Sequence, residues 1–140
     1  MDRRDFLRST CTFCMAAGTG LLATSLSSCA GPPMLEASVI DHRITVPLSA
    51  FVGSDFQIIQ PEGFLFDIGL VKGADGKFQA FVLECTHAST QLTPAGDGYT
   101  CPEHGSTFDI KGKVTRGPAQ LPLRQLQTGV SSDSVTIYLR

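Results

Sequence analysis

The chain has 140 residues, with 11 Lys or Arg against 13 Asp or Glu and a formal net charge of −2. That length fits one domain, and a near-balanced charge with no Trp and two Tyr offers neither the basic patch nor the aromatic platform of a nucleic-acid binder. Five Cys and three His are present, and two of the His stand within three residues of a Cys, a clustering that points first to a metal.

Residues 1–28 read as an export address. Arg3-Arg4-Asp5-Phe6-Leu7 precedes a 16-residue stretch, 11–26, of apolar and small side chains. A membrane-spanning helix asks for about 20 mostly apolar residues, so the stretch suits a signal core better than a span. Arg-Arg-x-Phe-Leu ahead of such a core resembles the twin-arginine export signal, a route that carries folded, cofactor-loaded proteins. Cys11-x-x-Cys14 has the spacing of a redox pair, but it lies inside the signal core and not at a helix start beside a strand. Leu26-Ser27-Ser28-Cys29-Ala30 resembles a lipobox, which implies that Cys29 is acylated and begins a mature chain of 112 residues with 8 basic and 11 acidic side chains. Two acyl chains give the stable anchoring that one does not. An uncleaved signal anchor is the other reading, and either one tethers the chain to a membrane. Residues 29–37, with Pro32-Pro33, read as a short stiff tether, and 38–140 as the domain.

The domain reads as all-β, a small antiparallel sandwich or barrel. Strand-like segments fall at 38–48, at 64–71 and at 78–83, the last two joined by the turn Gly73-Ala74-Asp75-Gly76. Further strands are expected at 99–101, 107–110, 121–126 and 135–139, with a hairpin turn at 109–113. No long stretch after residue 35 has the 3.6-residue period of a helix. Phe56, Phe64, Phe66, Phe78 and Phe81 are expected in the core, and His42 as a surface or strand histidine.

Two short segments carry the chemistry: Cys85-Thr86-His87 and Cys101-Pro102-Glu103-His104-Gly105-Ser106, with 13 residues between His87 and Cys101. A Cys2His2 zinc finger puts its Cys together and its His together. Here each segment supplies one of each, an alternation that suits a two-metal site: two facing loops, both Cys on one metal and both His on the other. Cys-Thr-His followed by Cys-Pro-x-His-Gly-Ser-x-Phe-Asp resembles the Rieske iron–sulfur family, over roughly residues 39–140. Gly117-Pro118-Ala119 resembles that family's proline loop, which lies over the cluster. The resemblance implies a cluster-binding subdomain formed by two loops and one [2Fe–2S] cluster held by Cys85, His87, Cys101 and His104. It also implies that the Ser106 hydroxyl bonds a bridging sulfide.

Two ferric ions, two sulfides and two thiolates sum to a neutral site, and one added electron makes it singly negative. An all-cysteine cluster carries more negative charge and resists reduction further. Electron uptake is expected to be coupled to proton uptake at the outer imidazole edges, so that the potential falls at alkaline pH. The chain also departs from the high-potential members of the family. Their loop-to-loop disulfide is replaced by Thr90 and Glu103, and Phe108 stands where they have a Tyr that bonds a ligand sulfur. Hydrogen bonds to sulfur raise the potential, so a middle-to-low value is expected within the roughly −150 to +300 mV such centres span.

Three functions follow as expectations. The first is a membrane-tethered electron carrier that passes single electrons between redox partner proteins at a bacterial envelope, facing the periplasm or exterior. The second is the Rieske subunit of a quinol–cytochrome c or other respiratory oxidoreductase. The third is the ferredoxin component of an oxygenase, which the export signal argues against. A terminal oxygenase needs a further mononuclear iron site, for which so short a chain shows no spare donors.

Overall fold

The computed structural model describes residues 34–140. The export segment 1–28, Cys29 and residues 30–33 of the tether lie outside the described residues, as do Cys11 and Cys14. Among the described residues the fold is all-β, with one short 3-10 turn at Leu48–Phe51.

Seven strands make the larger sheet: β1 (Met34–Ala37), β2 (Arg43–Pro47), β3 (Phe56–Pro61), β4 (Ile68–Lys72), β5 (Phe78–Val82), β10 (Gln125–Val130) and β11 (Ser134–Tyr138). Their order is β1-β3-β4-β5-β10-β11-β2, antiparallel except for the parallel β1–β3 pair. The edge strands β1 and β2 return towards each other, so the sheet nearly closes into a barrel. A second sheet holds β6 (Thr93–Ala95), β7 (Gly98–Thr100), β8 (Thr107–Asp109) and β9 (Val114–Arg116) in chain order.

Side-chain alternation decides which strands face water. In β2, Ile44 and Val46 point into the barrel while Arg43, Thr45 and Pro47 are exposed, the period-two pattern of a half-buried strand. β3, β4 and β5 bury both faces. Ile59, Ile68, Leu70, Ala80 and Val82 fill the barrel, whereas Ile58, Phe81 and Leu83 pack outward beneath the second sheet. That double burial is why 78–83 reads as a nearly unbroken apolar run.

The structure corrects several expected boundaries. Residues 34–37, read as the end of the tether, form β1 and pair with β3 from Met34↔Ile58 to Ala37↔Pro61. The 38–48 segment turns back on itself. Ile40 and Arg43 exchange backbone hydrogen bonds of 3.0 and 2.9 Å across Asp41 and His42, both at positive φ, as a tight two-residue hairpin turn requires. His42 is therefore an exposed turn residue. Residues 64–67 belong to a turn and not to a strand, and Phe64 is 45% exposed instead of core. Residues 121–124 precede β10 and belong to the loop over the second sheet. The hairpin turns at 73–76 and 109–113 form where expected. In each, an aspartate side chain, Asp75 or Asp109, accepts backbone N–H bonds within the turn.

Candidate metal centre

Both cysteine loops are built to one plan. The first leaves β5 through Leu83 and Glu84. The Cys85 N–H donates to Thr90 O at 2.8 Å, and the Ser89 N–H donates back to Cys85 O at 2.9 Å. The second joins β7 to β8, where the Cys101 N–H donates to Ser106 O at 2.8 Å and the Gly105 N–H to Cys101 O at 3.1 Å. Each loop thus spans six residues from its Cys, and the fifth of these has positive φ, 45° at Ser89 and 74° at Gly105. Glycine takes that conformation freely, whereas serine has a Cβ to accommodate. The equivalence could have been found by aligning Cys-x-x-x-Ser-Thr with Cys-x-x-x-Gly-Ser.

The loops bring the expected donors together as two pairs, cysteine with cysteine and histidine with histidine. Cys85 and Cys101 are free thiols, each 1% exposed, packed with Phe108, Leu92 and Tyr99 in the apolar cluster between the sheets. His87 and His104 are exposed, with ring centroids 4.9 Å apart and planes at 83°. Glu103 sits beside the pair, its Oε2 3.9 Å from His104 Nδ1. Burial alone would push the Cys101 thiol up. Backbone N–H groups of His104 and Glu103 and the neighbouring Cys85 thiol all bond its sulfur, and they hold it below the ordinary thiol value. A sulfur placed among donors suits a thiolate, the form that binds metal.

A third segment closes over both loops. Residues 117–123 carry a cis Gly117–Pro118 peptide at the expected proline loop. The Ala119 N–H donates to Ser106 Oγ at 3.0 Å, and Thr86 Oγ1 donates to Leu121 O at 2.7 Å. Ser106, fully buried, accepts here and keeps its own proton to donate. Thr90 and Glu103 cannot form a loop-to-loop disulfide, and these two hydrogen bonds tie the loops together through 117–123 instead.

The donor set fits a [2Fe–2S] group: a dry pair of sulfurs and a wet pair of imidazoles. Among the described residues no three His, Cys, Asp or Glu side chains gather as a single ion would require. A two-iron cluster of mixed ligation asks for only two protein donors at each iron.

Comparison with known proteins agrees. Residues 52–127 match the Rieske [2Fe-2S] domain. The chain is 30% identical over 126 residues to cytochrome b6-f complex iron-sulfur subunit 1 of Synechocystis sp., covering 86% of this chain and 63% of that protein. It is 28% identical over 108 residues to the cytochrome b6-f complex iron-sulfur subunit of Chlorobaculum thiosulfatiphilum, covering 76% of this chain and 58% of that one. The chain thus spans about three-fifths of the length of these relatives. Among solved structures, the plasma membrane Rieske protein PetC3 from Synechocystis shares the fold with a TM-score of 0.54 and 24% identity, covering 65% of this chain and 93% of that chain. A chain in the complex of oxygenase and ferredoxin of carbazole 1,9a-dioxygenase shares it with a TM-score of 0.52 and 22% identity, covering 71% of this chain and 95% of that one. With its two loops and with a family match over more than half its length, the chain belongs to the Rieske [2Fe-2S] domain family, whose domain carries one [2Fe-2S] cluster.

Proposed function

We propose that the chain is a one-electron carrier whose cluster is held by Cys85 and Cys101 at one iron and by His87 and His104 at the other. The observation that carries this reading is the pairing of two buried thiols and of two exposed imidazoles on the same two loops. Bound there, the group supplies a single reversible one-electron couple. The protein's part is to hold the sulfurs dry, offer the Ser106 hydroxyl to the sulfur side, and leave the imidazole edges open to a partner. On this reading electron uptake is coupled to proton uptake at those edges. A midpoint potential that falls towards alkaline pH is expected, and one that stays flat from neutral to strongly alkaline pH contradicts the coupling.

The ligand set is tested one residue at a time. Alanine at Cys85, His87, Cys101 or His104 is expected to abolish iron and acid-labile sulfide, while His42→Ala retains both. A variant of the four that keeps its two irons and its spectrum is removed from the set.

The carrier is tethered to a membrane on this reading, exported folded by the twin-arginine route and acylated at Cys29. The support is the motif Arg3-Arg4-x-Phe6-Leu7 and the lipobox around Cys29. Cys29→Ser is expected to move the protein from the membrane to the soluble fraction of the envelope, and an unchanged membrane fraction counts against acylation.

The similarity to cytochrome b6-f iron-sulfur subunits supports a second reading, in which the partner is a quinol-oxidising cytochrome complex. Phe108, in place of a tyrosine, and the absence of a loop disulfide weigh towards the free carrier. Co-purification of the tagged chain with a cytochrome from native membranes favours the complex.

A further inference from the structure

Tyr99 is fully buried between the two sheets. Its ring lies against Phe56 of β3, with centroids 6.0 Å apart, and its hydroxyl end stands over Gly69 of β4. Gly69 is flanked by Ile68 and Leu70, both of which point into the barrel. Gly69 itself faces the second sheet. A Cβ at this position would overlap the Tyr99 hydroxyl oxygen, and it would lie 3.1 Å from Tyr99 Cζ and 3.2 Å from Leu83 Cδ2. The backbone at Gly69 is not left-handed, so what the site requires is space, not backbone freedom.

The hydroxyl finds no hydrogen-bond partner among the described residues. A buried hydroxyl without a partner is unfavourable, so its contribution here is shape: the oxygen fills the notch left by the missing side chain. The two residues that close over this notch have matching places in the sequence. Leu83 stands two residues before Cys85, and Tyr99 stands two residues before Cys101. Both pack in the same apolar cluster as the two cysteines.

We propose that the Gly69 notch sets the spacing between the two cysteine loops, with Tyr99 as a positioning residue for the cluster. Seating Tyr99 against the bare Cα fixes how closely β7 lies on β4. Because Leu83 shares the seat, the strands that lead into both loops take their separation from one point. The proposal rests on Cys85 and Cys101 being ligands.

The test compares the full-length, cluster-loaded protein as wild type, Gly69→Ala and Gly69→Ala/Tyr99→Phe. The readouts are iron and sulfide content, the g-values of the reduced form, and the midpoint potential. The added methyl of Gly69→Ala is expected to push Tyr99 and β7 outward, shifting the g-values and potential or lowering cluster content. The double variant removes the oxygen that the methyl meets and is expected to return towards wild type. A Gly69→Ala protein with full cluster, unchanged g-values and unchanged potential overturns the proposal, as does a double variant no closer to wild type than the single one. If Gly69→Ala does not accumulate, the double variant decides: recovery of loaded protein supports the seat, and no recovery overturns it. A wild-type chain without a two-iron spectrum strikes the ligand assignment itself, before any variant is compared.

Discussion

At the scale of single residues, Ser89 stands out because it occupies the conformation that Gly105 occupies in the matching loop. A side chain in left-handed backbone costs about 1–2 kcal/mol, offset in part by the greater freedom glycine gives the unfolded chain. Ser89→Gly is therefore expected to stabilise the domain by about 0.5–1 kcal/mol, read from its denaturation midpoint. A loss of stability would mean that the Ser89 side chain makes a contribution of its own. Phe108 is a second residue-scale test. It is buried in the cluster that holds both cysteines, and unlike tyrosine it has no hydroxyl to donate to a sulfur. Phe108→Tyr is expected to raise the midpoint potential with the cluster intact, since a donor to sulfur disperses its negative charge. An unchanged or lowered potential contradicts that account. The four candidate donors stand out in the sequence because metal chemistry fixes residue type and spacing. Ser89, Thr86 and Tyr99 do not, because their roles depend on backbone conformation or on contacts far along the chain.

At the scale of elements, the cluster end of the barrel is held by ties between loops. Thr86 Oγ1 donates to Leu121 O, linking the first cysteine loop to residues 117–123. Thr86→Val keeps the shape and removes the donor, and is expected to cost about 0.5–1.5 kcal/mol of stability in chemical denaturation. No loss would show that the 117–123 loop is held by packing alone. Asp67 ends the turn before β4, where its N–H donates to Gln91 Oε1 at 3.0 Å. Burial pushes its carboxyl up from the ordinary 3.8, against a hydrogen bond from Gln60 that pulls it down. The folded chain then holds this proton more tightly than the unfolded chain. The resulting stability is fully present below the unfolded value and is lost as pH rises through the folded one. Asp67→Asn is expected to flatten the denaturation midpoint across the window starting near pH 3.8, and an unaltered pH profile contradicts it. Among the strands, β2 and β11 were legible because one face is wet and the alternation is clean. β3 was missed because Gln57 and Gln60 interrupt its apolar pattern, and Gln57 is buried with its side-chain amide donating to Ala50 O. The apolar run at 64–66 suggested strand, yet Leu65 lies on an exposed turn, since hydrophobicity alone does not say which way the chain bends.

At the scale of the whole molecule, two sheets share one wall. The strands β3, β4 and β5 form the barrel with one face and support the second sheet with the other. The cysteine loops leave from that shared wall and from β7, so the barrel fixes the position of the centre and the loops supply its chemistry. The most direct test is an EPR spectrum of the dithionite-reduced protein, with iron and acid-labile sulfide assayed on the same sample. The account predicts a rhombic Rieske-type signal with about two irons and two sulfides per chain. An EPR-silent protein containing one zinc and no sulfide would contradict it.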